Sequence, residues 1–280
     1  MSWPEHIAPR HVTAPDGVPI GVFTTGTGPP LVLVHGTAGD HTTFRVAGPL
    51  LAARRTVHAI DRRGRGASGD AAAYAIEREF DDVAAVARAI ADERGERVDV
   101  AGHSYGGRCA LGAALRTDAI AQVVCYEGAP PPADVSYQPD GLEEELRRLL
   151  DAGETDELYA TFLTRVVGMP PAELAAYRAD PVWPVRVATA ATIVRELEAE
   201  RSPAAGLAAL AGVRQPVLQI LGGESLPVFA MATAALDDRL ADGRVAVIPG
   251  ARHAAHHTHP EAFVATVLGE PADLPAPVRD

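Results

Sequence analysis

Gly102-His103-Ser104-Tyr105-Gly106 is a Gly-x-Ser-x-Gly pentapeptide, and the residues on either side of it decide how it reads. The run Arg97-Val98-Asp99-Val100-Ala101 before it has the pattern of a short strand. The Ala-rich stretch from Gly106 to Arg116 after it has the pattern of a helix. A serine on so sharp a strand-to-helix turn is forced into a strained backbone conformation, and the flanking glycines relieve the crowding. Its hydroxyl is then presented above the sheet at a helix N-terminus, where partial positive charge favours a developing anion. The plainer reading is a Gly-rich turn with an idle serine, and the strand-before, helix-after context argues against it.

Working outward, six short apolar runs are each followed by a helical pattern or a turn: Leu31-Val34, Thr56-Asp61, Val98-Gly102, Gln122-Glu127, Val217-Gly222 and Val245-Pro249. His11-Thr13 and Ile20-Thr24 flank the turn Asp16-Gly17 and read as an antiparallel hairpin leading in. Ile76, Phe80, Val83, Val86, Ala87 and Ile90 recur at helical spacing, and Pro260 to Leu268 reads as a final helix with proline at its start. The expected fold is therefore α/β, a mainly parallel doubly wound sheet with an N-terminal antiparallel hairpin. From Pro130 to about Gly212 the alternation stops. Helical patterns at Leu142-Ala152, Asp156-Val167, Ala172-Arg178 and Val185-Glu200 follow a stiff Gly128-Ala129-Pro130-Pro131-Pro132 hinge. This predicts a core of 1–129 and 213–269 carrying a helical cap at 130–212, with a disordered tail at 270–280 that holds three prolines.

Composition narrows the chemistry. The 280 residues suffice for one large domain, and a formal net charge of −12 argues against nucleic acid or an anionic membrane as partner. All 25 basic residues are arginine, which removes Schiff-base chemistry, lysine-anchored pyridoxal phosphate and a P-loop lysine together. Cys109 and Cys125 lie in apolar runs and read as buried free thiols. The first residues have no apolar signal-like core and no 18-residue apolar stretch follows, so a cytoplasmic location is expected. The expected partner is a small-molecule substrate, with a homodimer left open and no cofactor.

Four segments now resemble the α/β-hydrolase superfamily, in its order, over roughly residues 11 to 268. His35-Gly36-Thr37 after the strand LVLV is similar to its His-Gly oxyanion loop, and Asp61 to Ser68 to its D-x-x-G-x-G-x-S segment. The elbow comes third, and Gly250-Ala251-Arg252-His253 is similar to its G-x-x-H. The resemblance points to the capped branch of esterases, C–C hydrolases, lactonases, epoxide hydrolases and haloalkane dehalogenases. Ser104 needs a neighbouring base, and His253, just past a strand end, is placed to serve. The backbone N–H of Tyr105 is expected to form half of an oxyanion hole, with Thr37 supplying the other half by analogy. His35 reads as a loop-shaping residue. His253, His256, His257 and His259 invite a zinc reading, but only Glu261 stands near to complete a set, so no metal is assigned and the last three read as surface histidines.

The acid departs from the commonest family pattern. After PVLQILG the family usually has Gly-x-x-Asp, whereas here Gly222-Gly223-Glu224-Ser225 puts Ser225 at the aspartate position. Glu127, which ends the preceding strand, is the favoured carboxylate, in a placement similar to that of haloalkane dehalogenases; Glu224 is the alternative. With serine at the elbow, epoxide hydrolysis and dehalogenation through a carboxylate nucleophile are disfavoured. Phe44, Trp183 and Phe229 are candidate substrate-binding residues, with Tyr105 and Met169 also considered and Arg108 noted beside the elbow. The leading expectation is a serine hydrolase of an apolar ester, thioester or lactone. A non-hydrolytic or C–C-bond tailoring enzyme and a non-catalytic ligand binder are the alternatives.

Overall fold

The computed structural model describes residues 7–270, so all of the expected tail except Glu270 lies outside the described residues. Eight strands form one sheet: β1 (Arg10–Thr13), β2 (Pro19–Thr25), β3 (Pro30–Val34), β4 (Thr56–Ile60), β5 (Val98–His103), β6 (Ile120–Tyr126), β7 (Val217–Gly222) and β8 (Gly243–Ile248). Their order is β1-β2-β4-β3-β5-β6-β7-β8. The β1–β2 and β2–β4 pairs are antiparallel and every other pair is parallel. The fold is α/β, a mainly parallel doubly wound sheet with an antiparallel hairpin at its N-terminal edge.

Every residue of β3 and β4 is buried, because helices cover both faces of a parallel sheet. That is why these strands read as continuous apolar runs and not as alternations. On one face, Ile76, Phe80, Val83, Val86, Ala87 and Ile90 of the helix Ile76–Arg94 pack with Cys109 and Leu111 of the helix Tyr105–Ala114. On the other, Ala47 and Leu51 pack with Phe263, Val264 and Val267 of the helix Pro260–Leu268. Cys109 and Cys125 are buried and free, and burial pushes both thiols up, Cys125 to about 12.

Between β6 and β7 the described residues form helices and no strand: Leu142–Asp151, Thr155–Phe162 continuing into a π turn at Leu163–Val167, Pro171–Arg178, Trp183–Ala188, Thr192–Ala199 and Leu207–Leu210. They build an apolar cluster of their own around Leu142, Leu146, Leu158, Trp183, Ile193 and Leu197, which closes onto Ala38 of the loop after β3. The single helix expected over Val185–Glu200 is two. Thr189 Oγ1 donates to the Ala38 and Arg186 carbonyls (both 2.9 Å), and Thr192 Oγ1 to the Thr189 carbonyl (2.8 Å), so side-chain hydroxyls turn the chain between them.

A buried ionic network ties this insertion to the core. Arg62 forks onto Glu79 (3.0 and 2.7 Å) and reaches Glu196 (3.0 Å), Arg65 also pairs with Glu196, and Arg63 forks onto Asp82 (2.7 Å twice). Glu196 comes from the helix Thr192–Ala199, while the arginines lie in the loop after β4. Removing one partner of a buried pair leaves a charge uncompensated, which typically costs about 3–5 kcal/mol. Glu196→Ala is expected to lose that much stability in urea unfolding; a loss below about 1 kcal/mol would mean the network contributes little.

Candidate active site

The loops that follow β3, β5, β6, β7 and β8 meet at the carboxyl edge of the sheet, beside the point between β3 and β5 where the strand order reverses. Ser104 follows β5 with φ 55° and ψ −125°. The other described non-glycine residues with positive φ are Ala38 (52°) and Glu127 (47°), both at this same edge. Such conformations cost on the order of 1–3 kcal/mol each and persist where surrounding contacts over-determine them. The glycines of the pentapeptide permit the turn. A Cβ on Gly102 would run into the Gly106 carbonyl, and one on Gly106 into the carbonyls of Val34 and His35.

Glu127 and His253 are brought together. His253 Nδ1 lies 2.5 Å from Glu127 Oε2. Glu127 Oε1 accepts from the Gly222 amide (2.7 Å) and the Ser225 hydroxyl (2.5 Å). Ser225, at the position where the aspartate was missing, therefore serves as a hydrogen-bond donor to the carboxylate that reaches the histidine. Glu224 points elsewhere: its side chain is 60 % exposed and lies 3.9 Å from Arg252. The Phe229 ring stacks on the His253 imidazole, with centroids 4.5 Å apart. His103 Nε2 donates to the His253 carbonyl (2.7 Å), a role that nothing in the sequence signals, since the two residues are 150 positions apart. Among the described residues neither the Ser104 hydroxyl nor His253 Nε2 has a protein hydrogen-bond partner, and both residues line the same cavities.

Tyr105 opens the helix Tyr105–Ala114, so its N–H belongs to the first turn, where no intrahelical acceptor exists. Thr37 lines the same cavities as Ser104. The Tyr105 side chain is committed to structure: Arg62 lies over its ring at 4.4 Å, and its hydroxyl meets that of Tyr74 at 3.0 Å. His35 is buried, its Nδ1 2.8 Å from the Gly36 carbonyl and its Nε2 accepting the Arg62 amide at 3.0 Å. It shapes the loop, as expected. Arg108 donates to the Gly128 and Ala129 carbonyls (3.2 and 3.1 Å) and so pins the hinge where the insertion begins.

A cavity of about 450 Å³ opens over Ser104 and His253. Phe162, Leu163, Val167 and Met169 give it an apolar wall, and Arg45, Arg186, His256 and His257 a polar one. Two expectations for the lining are corrected. Phe44 is 1 % exposed and packs in the core with Leu31, Leu33 and Leu51. Trp183 lies between Tyr159 and Tyr177 inside the insertion, its indole N–H donating to Asp156 (2.5 Å). Aromatic rings bury the most apolar area, so both complete cores and neither lines a described cavity. Phe229 lines a smaller cavity of about 30 Å³ beside Ser104, with Thr37, Glu127, Glu200 and His253. The reading of His256, His257 and His259 as surface residues also needs correction. His256 is 2 % exposed under the His103 ring, His257 lines the larger cavity, and only His259 stays outside it, against Thr258. Among the described residues no group of three or more histidine, cysteine or acidic side chains is arranged to hold a metal ion.

Burial holds several imidazoles neutral. It lowers His58 to about 4, and burial with the Arg45 and Arg186 guanidiniums lowers His257 to about 4; His35, His103 and His256 lie well below their ordinary value, chiefly through burial. These groups take up protons in the unfolded chain near pH 6.5 but not in the folded one, so stability is whole above pH 6.5 and falls as pH drops from 6.5 towards 4. The melting temperature is expected to be lower at pH 5 than at pH 7.5 by about 5 °C or more. Equal values at the two pH values would contradict the burial of these rings.

Comparison with known proteins identifies the family. The model of the alpha/beta hydrolase family matches residues 31–266. The chain is 29 % identical over 259 residues to the pimeloyl-[acyl-carrier protein] methyl ester esterase of Nitrosomonas europaea, covering 88 % of this chain and 96 % of that one. It is 28 % identical over 252 residues to the 2-(acetamidomethylene)succinate hydrolase of Mesorhizobium japonicum, covering 87 % and 88 %. The crystal structure of an alpha/beta hydrolase from Sphaerobacter thermophilus superposes with a TM-score of 0.78 at 30 % identity, covering 93 % of this chain and 99 % of that chain. No described helix is long and apolar enough to cross a membrane. With the family model matching residues 31–266 of the 280, the chain belongs to the alpha/beta hydrolase family.

Proposed function

We propose that the protein is a serine hydrolase that cleaves an ester, thioester or lactone through an acyl-enzyme. In this reading Ser104 is the nucleophile, His253 its base and Glu127 the acid that orients the imidazole. The Glu127–His253 contact of 2.5 Å is the observation that carries it. A carboxylate on Nδ1 leaves the Nε2 lone pair free to accept the Ser104 proton and stabilises the imidazolium that results. The hydroxyl oxygen then attacks the substrate carbonyl, and the oxyanion is held by the Tyr105 and Thr37 amides. His253 passes its proton to the leaving oxygen or sulfur, and water attacks the acyl-enzyme by the same route. The helices of 130–212 act as a cap, since Phe162, Leu163, Val167 and Met169 roof the cavity over the nucleophile. Named activities of the two curated relatives, an ester hydrolase and a succinate-derivative hydrolase, support hydrolysis as the reaction class.

A fluorophosphonate probe tests this directly. One equivalent is expected to label the protein, at Ser104 by peptide mapping. Labelling elsewhere, or none under conditions in which the protein is folded, would remove the serine hydrolase reading.

A further inference from the structure

Of the two amides assigned to the oxyanion, that of Tyr105 is aimed by its helix, whereas that of Thr37 lies in a turn and must be aimed by something else. In a trans peptide the N–H of one residue and the C=O of the residue before it share a plane and point opposite ways. The direction of the Thr37 N–H is therefore set by the Gly36 carbonyl. A Cβ on Gly36 would come within 3.0 Å of the Ser104 Cβ, so this peptide lies against the nucleophile. Among the described residues the Thr37 amide has no hydrogen-bond acceptor in the protein.

The Gly36 carbonyl accepts from Arg62 Nη1 (3.2 Å) and from the Gly39 amide (3.3 Å). His35 Nδ1, 2.8 Å away, is a third donor, and Arg62 fixes that one too. Its backbone amide donates to His35 Nε2 (3.0 Å), which leaves the proton of the neutral imidazole on Nδ1. The guanidinium has no freedom of its own. Nε and Nη2 fork onto Glu79 (3.0 and 2.7 Å), and Nη2 also reaches Glu196 (3.0 Å). Nη1 serves the Gly36 carbonyl and, at 3.4 Å, that of His35. Each of the five N–H groups thus has an acceptor, and the side chain is fully buried. The face of the guanidinium covers the Tyr105 ring at 4.4 Å, so Arg62 bears on both residues assigned to the oxyanion. A cation at the carbonyl end of a peptide also polarises it, which strengthens the N–H at the other end as a donor.

We propose that Arg62 is a positioning residue for the oxyanion hole, holding the Gly36–Thr37 peptide with its N–H turned to the reacting oxygen while touching no substrate itself. This rests on the hydrolase reading above.

Trifluoromethyl hexyl ketone and methyl hexyl ketone test it as a pair of inhibitors. The carbonyl carbon of the first takes up the Ser104 oxygen, the serine proton passes to His253, and the former carbonyl oxygen becomes an oxyanion; the second only binds. Arg62→Lys keeps the charge, but three N–H groups cannot serve five acceptors. This variant is expected to lower kcat/KM on short nitrophenyl esters and to weaken the trifluoromethyl ketone alike, by about 10- to 100-fold, while methyl ketone binding changes by less than about threefold. Arg62→Met combined with Glu79→Gln removes the charge together with its counter-charge and leaves Arg65 to pair with Glu196, so it is expected to fold and to show the same loss. Arg63→Lys is the matched control, because that arginine is equally buried in the same loop but forks onto Asp82. It is expected to lower the melting temperature and leave the ratio of the two inhibition constants unchanged. A native ratio in a folded Arg62 variant, or an equal loss in Arg63→Lys, overturns the inference and leaves the hydrolase reading standing. Native protein that is neither labelled by fluorophosphonate nor inhibited by the trifluoromethyl ketone would remove both.

Discussion

Glu127→Gln is expected to lower kcat on short nitrophenyl esters by about 10⁴-fold, while Glu224→Gln changes it by less than about twofold. The hydrogen-bond inventory around residue 127 explains the size. Oε1 accepts from two donors, the Gly222 amide and the Ser225 hydroxyl, while Oε2 faces His253 Nδ1. A glutamine keeps one acceptor oxygen, and two donors outcompete one for it. The amide NH2 then faces Nδ1, which must accept, so the imidazole proton moves to Nε2 and the base that Ser104 requires is gone. The substitution removes little volume and no backbone contact, so the fold should survive. Glu224 has no part in this, being largely exposed and near only Arg252. The measurement is steady-state kinetics on the two purified variants, with thermal melts as the folding control. Comparable losses in both, or a loss only in Glu224→Gln, would assign the acid wrongly.

Ser104→Ala is the companion case, with an expected loss in kcat of at least about 10⁴-fold; residual turnover would come from the oxyanion donors and binding alone. The backbone makes a second expectation possible. Residue 104 sits at φ 55° and ψ −125°, a region that alanine dislikes as much as serine does, so Ser104→Ala should melt close to the native protein. Ser104→Gly should be equally inactive yet more stable, by about 1–3 kcal/mol, because glycine adopts that conformation without the Cβ penalty. Activity within tenfold of native in Ser104→Ala would end the case for a serine nucleophile. A destabilised Ser104→Gly would show instead that the turn is held without strain.

Much of this was legible in the sequence because local physics wrote it there. Doubly covered strands must be apolar on both faces, so β3 and β4 stand out as unbroken runs. The elbow must have glycine where backbones touch, so its spacing is visible. Glu127 was legible as a carboxylate at a strand end. Its partner Ser225 was not, since a serine in the usual aspartate position looks like a loss until a carboxylate arrives from the neighbouring strand to receive its proton. The aromatic lining was misread for a related reason. Nothing local distinguishes Phe44, which fills the core against Leu51, from Phe229, which stacks on His253.

What the sequence by itself determined is the strand–helix alternation, the strained turn at Ser104 and the order of the chemical residues along the chain, because each leaves its mark in the residue types at fixed spacing. Which carboxylate reaches His253 and which aromatic rings face the cavity were decided only by tertiary structure. Those outcomes depend on pairs such as Glu127 with His253, or Arg62 with Glu196, more than a hundred residues apart, whose approach is set by strand order and by how the insertion settles on the sheet.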